Sequence, residues 1–370
     1  MGERPTAVVA GAGIGGLAAA VGLRRAGVDV TVLEQAPSIG EVGAGISLWP
    51  NALRALDALG VGPAVRAAGV PAVSRGGLRR PSGAWVRRKR RDDIPVLVLH
   101  RADLHRTLLD ALPAGVVRTG VAVTGVEASS GVVTYAEGRA EADLVVAADG
   151  VHSVLRKALY PSAPEPRFDG RTVWRAVAPY DKPFDEAITV ARERQFGLLP
   201  MPGGRAYWFL MSEAGGPGVR YDDDLAEVHR LVGAWHAPIP EVLAATRPEA
   251  VLHHDVTTLP PLETYAHGRT VLLGDAAHAQ SPDLGQGACQ AIEDAVVLAA
   301  VAAASGLART PEAYDARRRP RSQAVASAAQ RQRDLNHRHH RLMTTVAGLI
   351  PPAMWRSRIT QWTDWTPPSV

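Results

Sequence analysis

The feature that most constrains this chain is a glycine-rich turn between two short apolar segments near its start. Residues 6–10 are apolar and β-branched, which predicts a buried parallel strand. Gly11, Gly13 and Gly16 then form a G-x-G-x-x-G pattern that runs into a helix rich in Ala, Leu and Arg. The three glycines are expected to allow, in turn, a tight bend, close approach of the backbone to a pyrophosphate, and tight packing of helix on strand. The start of the helix would offer free N–H groups and partial positive charge to the phosphates.

The acid that completes this pattern is Glu34, at the end of a second apolar run over residues 29–33. A carboxylate at this place can accept hydrogen bonds from an adenosine ribose. The glycine pattern alone is weak evidence, whereas the succession of strand, turn, helix, strand and acid is specific. The sequence therefore predicts that the chain binds a dinucleotide.

A second motif near the other end of the chain indicates which dinucleotide. Residues 270–273 are apolar and lead into Gly274-Asp275, and Gly285 and Gly287 precede a long helix that starts near Gln290. An aspartate after a buried strand lies at the carboxyl edge of the sheet, where doubly wound folds bind ligands. The second pair of glycines predicts another cradle of backbone N–H groups. A flavin needs such a second cradle and a nicotinamide rarely does, so the sequence predicts FAD.

With these motifs the chain resembles the single-component (group A) FAD-dependent aromatic hydroxylases of the para-hydroxybenzoate hydroxylase type. It is most similar to the branch of urate, salicylate and hydroxynicotinate hydroxylases. The resemblance rests on the first turn with Glu34, on the segment Ala147-Ala148-Asp149-Gly150-Val151-His152-Ser153, and on Gly274-Asp275 through Pro282 to Gly287. A looser match is His100-Arg101-Ala102-Asp103-Leu104, where the family has an arginine near the flavin.

The resemblance implies which residues hold the cofactor. In the family, the segment that matches Asp149-Gly150 lies at the FAD and is also implicated in NAD(P)H binding, and the aspartate that matches Asp275 contacts the ribityl chain. We expect Asp275 to be fixed at the end of its buried strand and Asp283, in the following loop, to be exposed. The expected cofactor-binding residues are Gly11, Gly13, Ile14, Gly15, Gly16, Glu34, Gln35, Ser47, Arg101, Val123, Asp149, Gly150, Asp275, Gly285, Gln286, Gly287 and Ala288.

The expected fold class is α/β. A Rossmann-type FAD-binding domain is interleaved with a smaller α+β substrate domain that covers the flavin, and C-terminal helices follow. At 370 residues the chain is long for a single core, so two or three intertwined domains are expected. We expect the FAD-binding domain to comprise residues 1–72, 97–165 and 258–305, the substrate domain residues 73–96 and 166–257, and the C-terminal helical segment residues 306–370. Residues 116–137 predict an antiparallel meander, and the tryptophan-rich tail is expected to pack back on the fold.

The resemblance also implies the reaction. An FAD-dependent monooxygenase would consume NADPH or NADH as a transient co-substrate and insert one atom of O2 into an electron-rich, aromatic small molecule through a flavin C4a-hydroperoxide. The sequence has no second G-x-G-x-x-G, so no separate nicotinamide domain is expected. Because the cofactor carries the hard chemistry, no catalytic triad is expected either. His278 and Asp283 are candidates for relaying a proton, and Pro282 for a wall beside the ring, with no acid or base assigned.

Candidate substrate contacts lie on strands predicted at residues 172–177, 195–200 and 205–210. Alternation along a strand would turn one set of side chains toward the flavin. The candidates are Gln195, Tyr207, Phe209 and Trp174, with ordinary core packing as the alternative for each aromatic ring. Arg175 follows a tryptophan that the family often shows, and a structural role is expected for it. The urate hydroxylase branch has an arginine where this chain has Gln195, so we expect a neutral or phenolic, aromatic or polycyclic substrate.

Composition excludes other classes. The net charge of +4 is mild and does not require a nucleic acid, and the apolar run over residues 295–304 is too short to span a membrane. The single Cys289 excludes an internal disulfide, and the first strand begins too early for a signal peptide, so we expect a cytoplasmic monomer or homodimer. The basic residues 87–91 predict a solvated loop or a site for NADPH phosphates. The histidines within residues 336–340 predict an exposed helix face that binds no metal.

Two other functions remain open from the sequence. A flavin oxidase or dehydrogenase would use the same cofactor without inserting oxygen. A non-catalytic FAD-fold binding protein would not need both Gly274-Asp275 and the cradle at residues 285–287 in working order.

Overall fold

The computed structural model describes residues 4–40, 43–72, 77–88, 94–338, 345 and 347–368. The strands are β1 (Thr6–Ala10), β2 (Asp29–Glu34), β3 (Gly45–Leu48), β4 (Val70–Ala72), β5 (Gly77–Arg79), β6 (Trp85–Arg88), β7 (Val96–His100), β8 (Val117–Thr119), β9 (Val123–Glu127), β10 (Val132–Tyr135), β11 (Gly138–Glu141), β12 (Leu144–Ala147), β13 (Arg167–Pro179), β14 (Ala187–Val190), β15 (Arg194–Met201), β16 (Arg205–Glu213), β17 (Leu252–Thr258), β18 (Ala266–His267) and β19 (Thr270–Leu272). The α-helices are α1 (Ile14–Arg25), α2 (Pro50–Ala58), α3 (Gly62–Ala67), α4 (Arg101–Asp110), α5 (Val154–Leu159), α6 (Asp224–Val232), α7 (Ile239–Ala244), α8 (Asp275–His278), α9 (Gly287–Ser305), α10 (Thr310–Arg338) and α11 (Pro352–Thr363).

The first large sheet has six strands in the order β18-β19-β12-β1-β2-β8. All pairs are parallel except β18 with β19, and β1 lies between β12 and β2. Residues 7–10 and 144–147 are buried without alternation, as expected for a parallel sheet that is covered on both faces. The predicted Rossmann-type α/β fold is confirmed.

Helix α9 packs against α1 in this core. By length and composition α9 could cross a membrane, yet 78% of its most apolar window is buried within the fold. Its apolar character is therefore that of a central core helix.

The second large sheet has seven strands in the order β17-β13-β16-β15-β14-β5-β6, and it is antiparallel except where β14 meets β5. Its outer face packs on α6 and α7 through a cluster that includes Trp174, Phe196, Trp208 and Leu210. The alternate residues of the same strands line a cavity on its other face. The predicted alternation of these strands is therefore observed.

Two small three-stranded sheets complete the fold, β3-β7-β4 and β11-β10-β9. The meander differs from the prediction because β8 does not join it. Instead β8 pairs with β2 in parallel, with Val117 opposite Val32, and the meander extends to Glu141 through β11. The chain passes between the two large sheets, as expected for interleaved domains, and the exact domain boundaries stay a prediction.

The C-terminal part packs back on the first layer. Helix α10 contacts α9, and Arg54 of α2 donates from Nε to the carbonyl of Trp365 at 2.7 Å. Residues 89–91 of the basic cluster and the side chains of residues 337–340 lie outside the described residues.

Candidate active site

A cavity of about 1230 Å³ lies between the glycine-rich turn, the inner face of the second sheet and α11. Pockets for one small ligand measure about 300–1,000 Å³, so this cavity is large enough for a dinucleotide together with a second small molecule. Its walls bring together both sequence motifs and the predicted substrate strands.

The first turn has the geometry that the glycines predict. Gly11 has φ +101°, and a Cβ there would lie 2.5 Å from the Ala148 carbonyl oxygen. A Cβ at Gly16 would lie 2.0 Å from the carbonyl oxygen of Gly11. At Gly13 a Cβ would meet nothing within 4 Å, and the residue lines the cavity. The turn and the helix are thus tightly packed on each other, while the backbone at Gly13 stays open to a ligand.

Glu34 and a histidine fix this turn from opposite sides. The two carboxylate oxygens of Glu34 accept from the backbone N–H groups of Ala12, at 2.7 Å, and Ala36, at 2.8 Å. The buried His105 of α4 has Nε2 2.7 Å from the Ala12 carbonyl oxygen and also lines the cavity. Sequence reasoning missed His105, whose only signal is its place beside Leu104 on the buried face of α4.

Most of the expected cofactor residues line the cavity, and six of them do not. The lining residues are Gly13, Ile14, Gly15, Glu34, Ser47, Arg101, Gly150, Asp275, Gly285, Gly287 and Ala288. Gly11 and Gly16 support the turn from outside the lining. Gln35 is exposed, Val123 is half-buried on β9, and neither belongs to the lining.

Asp149 and Gln286 act on the framework of the site. Asp149 accepts from the Ser153 hydroxyl at 2.6 Å and from the Leu155 N–H at 3.1 Å, so its carboxylate holds the start of α5. Gln286 is fully buried, and its Oε1 accepts from Asn51 Nδ2 at 2.9 Å. This amide pair ties the residue before α9 to α2.

Asp275 and the start of α9 form the second half of the cofactor site. Asp275 is exposed where it lines the cavity, and within the described part of the chain its carboxylate has no hydrogen-bond or ion-pair partner. A Cβ at Gly287 would meet nothing within 4 Å, so the first turn of α9 is open on its ligand side. Free N–H groups and the positive end of a helix suit the acceptor-rich edge of a flavin. The residues present therefore fit FAD at both ends of the cavity.

The expected exposure of Asp283 is wrong. Its side chain is 0% exposed, because Oδ2 accepts from Arg171 Nη2 at 2.8 Å and from the Ser281 hydroxyl at 2.5 Å. Asn336 of α10 donates to Oδ1 at 3.2 Å. Burial lowers the pKa of Arg171, but Asp169 and Asp283 outweigh it and raise that pKa above its usual range. Asp283 is thus an ion-pair partner that joins the loop after α8 to β13.

His278, a candidate for proton relay, does not reach the cavity. Its Nε2 lies 2.6 Å from Asp294 Oδ2, and both side chains are buried. Arg318 donates to Asp294 at 2.6 Å. Burial raises the pKa of Asp294, but His278 and Arg318 more than offset this and hold it at about 2. His278 therefore supports α8 from behind, whereas Pro282 lines the cavity as a wall residue.

Three of the four candidate substrate residues line the cavity: Gln195, Tyr207 and Phe209. The Tyr207 and Phe209 rings lie 6.1 Å apart. A Cβ at Gly45 would lie 2.2 Å from the Tyr207 ring, so the backbone of β3 packs directly on it. Burial raises the pKa of Tyr207, while Arg175 acts in the opposite direction.

The fourth candidate, Trp174, does not line the cavity. It is 1% exposed and faces α6, where its Nε1 donates to Asp224 at 2.7 Å and its ring stacks on His253. Alternation then turns its neighbour Arg175, expected to be structural, into the cavity. The substrate contact predicted at Trp174 is withdrawn.

Sequence reasoning also missed residues that reach the cavity from distant elements. Gln280 lines it with both amide atoms buried and, among the described residues, unbonded. Trp355 and Trp362 of α11 line its outer end. Gln280 carries no sequence signal beyond its closeness to Pro282, whereas the tryptophans predict only a tail that packs back.

A dinucleotide turn with its ribose acid, a second cradle at α9 and a sheet that roofs both define a flavin-dependent oxidoreductase of the Rossmann class. The family model described as FAD binding domain matches residues 4–329, and the chain belongs to this family.

The relatives confirm the branch and the reaction. Aurachin C monooxygenase/isomerase of Stigmatella aurantiaca is 37% identical over 306 residues, which cover 80% of this chain and 79% of the relative. FAD-dependent urate hydroxylase of Klebsiella pneumoniae is 33% identical over 346 residues, 90% of each chain. A solved structure of an arginine-to-glutamine variant of HpxO from Klebsiella pneumoniae, complexed with FAD, is 30% identical with a TM-score of 0.89, covering 97% of this chain and 98% of that one. The protein is an FAD-dependent monooxygenase, as predicted.

Proposed function

We propose that the protein hydroxylates an electron-rich aromatic or heteroaromatic small molecule, with NADPH or NADH as reductant. The reaction consumes one O2 and one NAD(P)H with a proton, and it yields hydroxylated product, NAD(P)+ and water. The observation that carries the proposal is the shared cavity: Gln195, Tyr207 and Phe209 line the same space as the start of α9.

Four parts of the chain would hold FAD. The backbone at Gly13 and the start of α1 suit the pyrophosphate, Glu34 the adenosine ribose, Asp275 the ribityl chain, and Gly287 with the start of α9 the ring. When bound, FAD supplies hydride acceptance from NAD(P)H and delivery of an oxygen atom from O2. The same residue set supports non-covalent attachment.

The substrate side is built to position a ring and exclude water. Phe209 offers an aromatic face, and Pro282 a rigid wall. Burial raises the pKa of Tyr207, so its hydroxyl stays protonated at neutral pH and donates a hydrogen bond to the substrate. The Gln195 amide, which is half-buried, can donate and accept at the same ring. Exclusion of water protects the oxygen-transfer step from loss as peroxide.

The relatives support an aromatic or heteroaromatic ring as substrate. The relative from Klebsiella pneumoniae acts on urate, a nitrogen heterocycle, and the one from Stigmatella aurantiaca on aurachin C by its name. Location in the cytoplasm and a monomeric or homodimeric state are part of this proposal.

The experiment begins with the purified protein. It should be yellow, and acid precipitation should release the flavin into the supernatant. A panel of phenols, hydroxypyridines and urate is then screened for acceleration of flavin bleaching by NADPH and NADH without oxygen, followed by mass analysis of aerobic products.

Variants connect the reaction to the site. Gln195→Ala and Tyr207→Phe should retain FAD but raise KM or divert NAD(P)H oxidation into peroxide release. Trp174→Phe, on the opposite face of the sheet, is the matched control and should couple as the wild type does. If no compound that accelerates flavin bleaching gains the mass of one oxygen atom in air, the proposal is refuted in favour of an oxidase.

A further inference from the structure

Arg175 is a half-buried cation of the cavity wall that no acidic side chain among the described residues neutralises. Arg175 lines the cavity from β13, and among the described residues it has no hydrogen-bond or ion-pair partner. Arg171, four residues earlier, bonds to Asp169 and Asp283 instead. Arg333 likewise pairs with Asp169. A guanidinium removed from water without a counter-ion is destabilising, so Arg175 is arranged for a ligand rather than for the fold.

The strand register places Arg175 in the middle of the predicted substrate wall. It lies opposite Phe209 on β16 and Leu252 on β17. The adjacent row on this face contains Gln195 and Met211, and Arg175 is offset from Gln195 by two strands and two residues. With strands about 4.8 Å apart and about 3.4 Å per residue, the two Cα atoms are about 12 Å apart. Both side chains can therefore reach one small ring from different sides.

The groups around Arg175 leave its charge uncompensated. Burial lowers the pKa of His254, and Arg175, His253, Arg220 and Arg101 lower it further, so His254 is neutral near pH 7. Tyr207 is protonated there because burial raises its pKa. Arg175 is therefore a cationic group flanked by Phe209 and Leu252 in this wall of the cavity.

We propose that Arg175 binds an anionic group of the aromatic substrate, a carboxylate or phenolate, and thereby selects aromatic acids. This inference rests on the proposed function and replaces the expectation of a neutral substrate that Gln195 suggested. A planar guanidinium binds a carboxylate through two parallel hydrogen bonds, which gives orientation as well as affinity. In this chain the anion-binding arginine would stand on β13 instead of at the position of Gln195 on β15.

The test measures binding to the oxidised holoenzyme, so that it does not depend on turnover. Each probe pair shares a ring and differs in charge: 4-hydroxybenzoate with 4-hydroxybenzamide, and 6-hydroxynicotinate with its amide. Perturbation of the flavin absorbance gives Kd for each compound with wild type, Arg175→Gln and Arg175→Lys. Arg358→Gln, at an exposed arginine of the same cavity, is the matched control.

We expect the wild type to bind at least one acid more tightly than its amide. Arg175→Gln should weaken that acid about ten- to a hundredfold, the loss typical of a charge-assisted hydrogen bond, and leave the amide unchanged. Arg175→Lys should retain part of the preference, and Arg358→Gln all of it.

Several results would overturn the inference. Equal binding of acids and amides by the wild type would overturn it. Equal weakening of both by Arg175→Gln would also overturn it, because it would show that the arginine only packs against the ligand. Release of FAD from Arg175→Gln, or a change confined to KM for NADPH, would assign the guanidinium to a cofactor phosphate. A preparation without flavin would instead refute the proposed function itself, and with it this inference.

Discussion

Alanine substitutions at the glycines of the first turn can test folding and cofactor binding separately, because each adds a single methyl group. Gly13 has φ −68° and ψ 177°, a conformation open to alanine, and its Cβ would meet no protein atom within 4 Å. Gly13→Ala should therefore destabilise the apoprotein by only about 0.5–1 kcal/mol, the penalty for alanine at a helix N-cap. The methyl group would, however, extend into the cavity at the place proposed for the pyrophosphate.

The expected effect on FAD is large. Loss of one charge-assisted hydrogen bond is about 1.5–3 kcal/mol, so Kd for FAD should rise about ten- to a hundredfold. Gly16→Ala is the matched control, because its Cβ would lie 2.0 Å from the Gly11 carbonyl oxygen. Overpacking of this kind typically destabilises by about 1–3 kcal/mol, and here it would displace the turn itself.

Two measurements on the apoproteins check the reasoning. Urea unfolding followed by far-UV circular dichroism gives the midpoint, and quenching of flavin fluorescence gives Kd. Gly13→Ala should keep a midpoint close to the wild type while losing FAD affinity, whereas Gly16→Ala should lose both. A Gly13→Ala protein that binds FAD like the wild type would refute the placement of the pyrophosphate, and one as unstable as Gly16→Ala would refute the open geometry.

Three further outcomes are expected. Asp275→Ala should lower the FAD content after gel filtration more than Asp283→Ala, which should instead lower the thermal midpoint, and equal FAD loss would remove the ribityl role of Asp275. Arg318→Leu removes the guanidinium that bonds to both Glu293 and Asp294, and leaves Glu293 with Arg321 and Asp294 with His278. Loss of one partner of a buried ion pair is about 3–5 kcal/mol; with about 2.1 cal/mol/K of unfolding entropy per residue, Tm should fall by about 4–6 °C in calorimetry. The pKa of Asp294 in the folded state, about 2, lies below its ordinary 3.8. The ionised carboxylate should therefore contribute fully to the free energy of unfolding above about pH 4, and this contribution should be lost as the pH falls toward 2. An Asp294→Asn protein whose stability depends on acid pH as that of the wild type does would contradict this.

The sequence predicted the parts of the fold whose rules are local. The spacing of Gly11, Gly13 and Gly16 requires one backbone path, and the structure follows it into α1 and on to Glu34. The second motif at Gly274 and Gly287 is equally local, since a strand end and a helix start suffice to define it.

The errors share a physical cause, because each depends on a partner far away in the chain. Trp174 faces outward because its indole N–H meets Asp224 on α6, and alternation then commits Arg175 to the cavity. Asp283 is buried because Arg171, 112 residues away in the chain, neutralises it, and Ser281 and Asn336 also donate to it. Such long-range ion pairs and hydrogen bonds leave no periodicity in the sequence. When both faces of a strand are buried, the sequence does not show which set of alternate residues faces the cavity.

The interleaving of the two large sheets has a consequence for how this protein acquires its cofactor in a cell. The turn at Gly13 is synthesised first, whereas β19 and α9, which complete the central sheet and the second cradle, emerge only after β17. A nascent chain thus presents a pyrophosphate turn without the groups for the ring, and closing the long intervening loop is slow and entropically unfavourable. We therefore expect stable flavin binding only after β19 and α9 have been synthesised.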